Sequence, residues 1–364
     1  MNLSETTQAT LLLTAYFNKA DGSSAHPLTN TEWGKFALWL TDTELKPERL
    51  LHGKPESLLV GWDDKKITID RIEQLLNRGS ALALAVEKWY RAGLWILSRS
   101  DQNYPRRLKK HLNINAPPVL FGCGNQALLN KGGIAVIGSR NTSSEDLEFS
   151  RGLGEKAALS GYSIVSGGAR GVDEASMMGA LNVEGTVIGV LADSLLKASS
   201  SQKYRQSLMN NNLVLISPFY PEAGFNVGNA MQRNKYIYCL SDAGVAVHSG
   251  TKGGTWTGAL ENVKKSWVPM WVKETTDSKA GNKQIVEKGA RWLSSDLSAL
   301  DIGSLFHFDQ SSAVKEPVDL FDIKDNDDKE KVTTDNKIAE SKHDTEIISK
   351  EEIEMEVSTI KSEV

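Results

Sequence analysis

The sequence predicts an α/β fold: a doubly wound parallel sheet, with a helical module before it and an acidic tail after it. Two observations carry this. From about residue 130 to 309, short apolar runs alternate with helical segments and leave little chain over, the pattern of right-handed crossovers onto a parallel sheet. Three of those runs end in small, flexible loops that carry a cation, as expected where the carboxyl ends of parallel strands open onto one crevice. The first loop is Gly138, Ser139 and Arg140; the second runs from Ser166 through Gly167, Gly168 and Arg170 to Gly171; the third runs from Ser249 through Gly250, Lys252 and Gly254 to Thr255.

The elements follow in order. Residues 1–93 form the helical module. Segment 3–17 has apolar residues at helical intervals behind a capping Ser4. Trp33, Phe36, Ala37 and Leu40 in segment 30–40 keep the spacing of one buried face, and 69–76 and 81–90 repeat it. Residues 94–129 link the module to the sheet through candidate strands at 94–97 and 116–122, the latter led in by Pro117 and Pro118 where no ladder donor is lost. In 130–309 the candidate strands are 134–137, 162–166, 186–191, 213–217, 243–248 and 268–272. Helices are expected near 145–160, 172–180, 202–211, 229–240 and 254–265. Residues 310–364 are rich in lysine and acid and nearly free of aromatics after Phe321, so disorder is expected there, with a docking helix near 346–357 as the alternative.

Composition narrows the function classes. The 364 residues carry 40% apolar and 24% charged side chains, ordinary for a soluble globular protein. Cys123 and Cys239 lie far apart, in no metal-ligand spacing, and the six histidines form no pairing typical of a metal site. No metal and no cofactor is expected. Neither a basic leader nor an apolar run of membrane-spanning length is present, which points to the cytoplasm and away from a membrane. The chain has 42 basic and 46 acidic residues, but residues 311–364 hold 8 and 16 of them. The preceding part is therefore mildly cationic, and the overall acidity hides the sign of its binding surface.

The loops have a chemical logic. Glycine lets a ligand approach the backbone, and helix N-termini offer N–H groups to anions. Ser139 adds a hydroxyl and a backbone N–H, while Arg140 and Arg170 add planar forks matched to phosphate. Asp173 reads as a cap for the following helix or as a partner that orients Arg170. Tyr220 or Phe225, close to a strand end, could stack a base; Trp89, Trp95, Trp271 and Trp292 read as core, and Trp256 and Trp267 flank the 254–265 helix.

These residues resemble the DNA-processing protein A family (DprA, also called Smf). The resemblance rests on Gly138, Ser139 and Arg140, on the series Ser166 to Asp173, on Arg233 and Asn234, and on Ser249 and Gly250. Tyr104 with Pro105, and Pro117 through Gly122, add to it. It implies an extended Rossmann-like fold that binds single-stranded DNA in a basic pocket, forms a homodimer and passes the strand to a RecA-type recombinase. It also places Arg233 and Asn234 in the DNA site, with Lys235 beside them. The chain departs from the family pattern in having Ala230, Met231 and Gln232 before Arg233 instead of a Phe-Pro pair. No winged-helix domain is expected after the sheet.

The third loop, through Lys252, Gly253, Gly254 and Thr255, is also similar to the nucleotide loop of a wider superfamily that includes nucleoside-monophosphate phosphoribohydrolases (the SMF/DprA–LOG, or SLOG, superfamily). Such an enzyme needs an acid shortly after the threonine. Here Glu261 comes about a helical turn late, and no Ser-His-Asp or Cys-His arrangement has motif support. A non-enzymatic DNA-binding protein of recombination or DNA uptake is therefore expected. The alternative is a nucleotide sensor or nucleotide-processing protein of that superfamily, in a setting such as phage defence.

Overall fold

The computed structural model describes residues 3–17 and 25–307; the acidic tail expected at 310–364 lies outside the described residues. Helices α1 (Glu5–Thr14), α2 (Asn30–Asp42), α3 (Pro55–Leu58), α4 (Ile69–Leu76) and α5 (Gly79–Arg91) come first. Local chemistry starts them where the sequence indicates. The Ser4 hydroxyl accepts from the Thr7 N–H at the head of α1, and Thr29 and Glu32 form a reciprocal capping box on α2. Leu13, Trp33, Phe36, Leu40, Ile72 and Leu75 then close a small core of their own.

The remaining elements are β1 (Trp95–Ser98), α6 (Arg106–Leu112), β2 (Val119–Gly124), β3 (Ile134–Ile137), α7 (Ser144–Leu159), β4 (Ile164–Ser166), α8 (Val172–Asn182) and β5 (Val187–Val190). They continue as α9 (Leu195–Ser199), α10 (Gln202–Met209), β6 (Leu213–Ser217), α11 (Val227–Cys239), β7 (Ala243–Ala246), α12 (Gly254–Lys265), β8 (Met270–Lys273), α13 (Asn282–Glu287) and β9 (Arg291–Leu293). The nine strands form one sheet in the order β1-β2-β6-β5-β4-β3-β7-β8-β9. From β3 to β6 the chain builds in one direction. It then returns through α11 and adds β7 on the other side of β3, so the topological switch point lies between β3 and β7.

Both faces of the sheet are buried. Ile134 and Val136 of β3 pack with Phe149, Leu153, Val172 and Met177 from α7 and α8. Ala135 and Ile137 pack with Leu108, Ile237, Ala259 and Ile285 from α6, α11, α12 and α13. This is why the strands read as unbroken apolar runs. Cys123 and Cys239 are buried, unpaired thiols, and burial pushes Cys123 up to about 12.

Three features differ from the expectation. The linking strands β1 and β2 belong to the sheet itself: β2 runs antiparallel to β6 with Phe121 opposite Ser217, and β1 runs antiparallel to β2. One edge of the sheet is thus antiparallel. Strand β9 and helices α9 and α13 were not expected; they are three to six residues long, too short to show a period. Trp292 is 40% exposed on the edge strand β9, not a core residue, because the alternation there turns Arg291 and Leu293 inward relative to it.

The end of β8 is fastened to the start of α7 by a buried charge. Lys273, 2% exposed, reaches Asp146 at 3.0 Å and Glu145 at 3.1 Å, and Thr142 and Ser143 donate to the other Asp146 oxygen. Burial alone would raise Asp146 and lower Lys273. The hydrogen bonds from Thr142, Lys273 and Ser143 outweigh it, so Asp146 is held below and Lys273 above its ordinary value. The lowered acid stabilises the fold above its ordinary pKa and loses that effect as pH falls. The raised amine does so below its own ordinary value and loses it as pH rises, so the contribution is full from roughly pH 4 to 10. Asp146→Ala, which leaves the buried ammonium only the exposed Glu145 as its acid partner, is expected to lower unfolding free energy by about 3 kcal/mol in urea titrations at pH 7.

Candidate nucleic-acid interface

The loops after β3, β4 and β7 lie side by side at the switch point, and a cavity of about 420 Å³ opens between them and α11. Gly138, Ser139, Arg140, Arg233, Asn234, Gly250, Lys252, Gly254 and Thr255 all line it. Arg140 is exposed at the rim with its guanidinium 4.3 Å from the centre of the Phe225 ring, and Lys252 is exposed on the opposite loop.

Beneath the rim the residues are structural. Asp173, in the first turn of α8, is 5% exposed and accepts from Arg233 Nη1 at 3.2 Å and from the N–H groups of Gly138 and Gly167. Burial pushes its carboxyl above the ordinary value, against the pull of Arg233 and those two N–H groups. A Cβ at Gly167 would overlap the Arg233 guanidinium, so the second loop admits this arginine only because position 167 is glycine. Gly171 holds a φ of +96° at the head of α8, where a Cβ would meet the Ser139 and Arg140 carbonyls. Asp173 therefore neither caps α8 nor orients Arg170. It binds three segments together.

Arg233 itself is 4% exposed, and its Nε–H has no hydrogen-bond partner among the described residues. The Arg233 side chain lines the cavity, so its cation lies at the cavity wall. Asn234 is buried as well and donates to the Gly254 carbonyl at 2.9 Å, tying α11 to the start of α12. No side chain among the described residues caps α8 or α12, whereas Ser143 caps α7 and Asn226 caps α11. The start of α12, at Gly254 and Thr255, lines the cavity directly.

Other expected site residues lie elsewhere. The Ser166 hydroxyl is buried and donates to the Val136 carbonyl at 2.6 Å, and Gly168 packs near Leu191 and the Tyr204 hydroxyl. Ser249 is buried, with its N–H on Asn282 Oδ1. Arg170 bonds Asn141 Oδ1 at 3.0 Å and lines a neighbouring cavity of about 1240 Å³, which Arg140 shares. Lys235 lines a third cavity, of about 570 Å³, on the other side of α11. The Ser139 N–H is not available to a ligand, because it donates to the His248 carbonyl at 2.9 Å. Tyr220 is half-buried against Trp89, while Phe225 remains 53% exposed. Trp256 and Trp267 are half-buried against the core.

Sequence reasoning missed His248. Ser139 Oγ lies 3.0 Å from His248 Nδ1, and His248 Nε2 lies 3.1 Å from Asp277 Oδ2. The contact with His248 holds the Asp277 carboxyl below its ordinary value. The chain of contacts pins the first loop to the third. Its one signal in the sequence is the position of His248 two residues after β7. Among the described residues no cluster suited to a metal ion occurs, and no helix is long and apolar enough to cross a membrane.

A family model for DNA recombination-mediator protein A matches residues 95–302, over half of the chain. The chain belongs to that family. The DNA processing protein DprA of Bacillus subtilis (strain 168) is 27% identical over 212 residues, which cover 56% of this chain and 70% of that protein. Protein Smf of Escherichia coli (strain K12) is 30% identical over 162 residues, 44% of this chain and 43% of its own length. The X-ray structure of DprA from Streptococcus pneumoniae matches with a TM-score of 0.62 at 18% identity, covering 80% of this chain and 95% of that one, a likeness of fold. The family match begins at β1, so it takes in the antiparallel edge strands. Tyr104, one of the residues that carries the resemblance, is fully buried and donates its hydroxyl to the Pro117 carbonyl at 2.7 Å, which makes that pair a strut.

Gly167→Ala tests the packing of the site. The added methyl must displace Arg233, and overpacking of this kind costs about 1–3 kcal/mol. A lowered thermal midpoint is expected, together with weakening of any ligand binding in the crevice.

Proposed function

We propose that the crevice at the β3–β7 switch point holds the backbone of single-stranded DNA, and that the protein is a DprA-like recombination mediator without catalytic activity. The buried Arg233 guanidinium at the wall of the cavity carries this reading. It puts a fixed cation under a cavity whose rim supplies Arg140 and Lys252 and whose floor supplies the start of α12 at Gly254 and Thr255. Phosphate is the anion that guanidinium forks and helix starts of this kind bind. Phe225, stiffened by Arg140, offers a face on which any base can stack.

Binding is favoured over cleavage by the lining. Its one carboxylate among the described residues, Asp173, is already engaged with Arg233, and Glu261 does not reach the cavity. Family membership supports the DNA-processing context. From it we further infer homodimerisation and transfer of the strand to a RecA-type recombinase.

Fluorescence anisotropy with oligothymidine at several salt concentrations tests the site. Arg140→Ala and Lys252→Ala are each expected to weaken binding and to flatten the slope of log affinity against log salt by about 0.7 for each phosphate left without its cation. Arg170→Ala is expected to have the smaller effect, since its side chain opens onto the neighbouring cavity. Unchanged affinity in all three variants would overturn the site. Thermal stabilisation by mononucleotides without retention of oligothymidine would favour the nucleotide-sensor reading instead.

A further inference from the structure

Helix α11 has two cavity-facing sides. Val227, Ala230, Met231 and Asn234 face the crevice. Asn229, Gln232 and Tyr236, with Lys235, face the 570 Å³ cleft between the helical module and the sheet. Both sets follow helical spacing, so one helix forms the wall between two cavities.

The cleft has the composition of a base-binding site. Tyr16, Phe219 and Tyr220 present aromatic faces, and Asn30, Asn229 and Gln232 present amides. Among the described residues, Lys235 is its one charged lining residue. Lys235 Nζ lies 5.2 Å from the centre of the Tyr236 ring, and the nearby acid Glu222 is turned to Lys88 at 2.5 Å. The larger cavity beside Arg170 differs sharply. Its lining is mixed in charge: Glu145, Asp146, Glu174, Glu274 and Asp277 stand with Arg140, Arg151, Arg170 and Lys273.

The crevice wall is apolar where α11 begins. Phe225 is 53% exposed, Val227 60% and Met231 39%, an apolar strip along the first half of α11. The two cavities stand one helix apart, about 10–12 Å, a distance that a few nucleotides cover.

We propose that the cleft is a second single-strand subsite. A strand held in the crevice crosses the first half of α11, lays bases on Phe225 and Met231, and enters the cleft. There Lys235 holds a phosphate and Tyr16 and Phe219 stack the following bases. This rests on the DNA-binding reading above and extends it to the helical module.

Oligothymidines of about four and about fifteen nucleotides, a range that spans one site and several, separate the subsites. The parent is expected to bind the longer strand more tightly. Lys235→Glu and Tyr16→Ala, on different elements, are each expected to weaken the longer strand about tenfold and leave the shorter one unchanged, while Lys235→Arg keeps full affinity. Full affinity of both variants for the longer strand would overturn the cleft but not the crevice. Equal losses for both lengths would likewise overturn it, by showing that the substitutions act through the fold. If the parent binds neither length, the DNA-binding reading falls and the cleft with it.

Discussion

One buried carboxylate gathers the site. Asp173 takes N–H groups from Gly138 and Gly167, which end two neighbouring strands, and the guanidinium of Arg233, which comes from the helix crossing back over the switch point. Each partner has a reason to be where it is. The strands deliver the two glycine N–H groups, and the missing Cβ at Gly167 leaves the channel that Arg233 fills. A buried ion pair adds little to stability compared with an apolar packing of the same volume. What it provides here is convergence. Without Asp173, a guanidinium would be left charged and uncompensated beneath the loops. Without Arg233, an uncompensated carboxylate would face the cavity. The pair makes the crevice floor net neutral while leaving one donor, Arg233 Nε–H, unspent.

The fold was legible because its signals are periodic. Buried parallel strands must be apolar on both faces, so β3 and β6 could be read to the residue, and caps such as Ser4 mark helix starts by local chemistry. The edges were not legible. Strands β1 and β2 look the same in sequence whether they link or pair, because strand direction and neighbour are set by long-range packing. Strand β9 and helix α13 are too short to carry a period.

The site was legible as a set of loops but not as a set of side-chain directions. Arg140 and Arg170 hold equivalent places after their strands, yet only Arg140 reaches the crevice. Positive φ at Gly168 and Gly171 turns the second loop, and Arg170 leaves on the side of Asn141. Arg233 and Asn234 were recognisable as a motif, but their burial was not. Adjacent residues on a helix diverge by about 100°, so Lys235 enters a different cavity from its two neighbours although the sequence runs the three together.

Helix α11 thereby does three jobs that no single stretch of apolar or charged residues would advertise. Ile237 and Cys239 anchor it in the core, Arg233 and Asn234 brace the loops, and Gln232 and Lys235 face the helical module. Rigidity links the three. A helix fixed by a buried ion pair at one turn and by core packing at the next holds its remaining side chains at set angles. The crevice and the cleft are then positioned relative to each other before any ligand arrives. A flexible strand loses less on binding to such a surface than to one that must itself be ordered. In this arrangement the exposed residues Phe225, Val227 and Met231 are not a defect of packing. They are the part of α11 and its lead-in that neither the core nor the loops require, and they line the crevice.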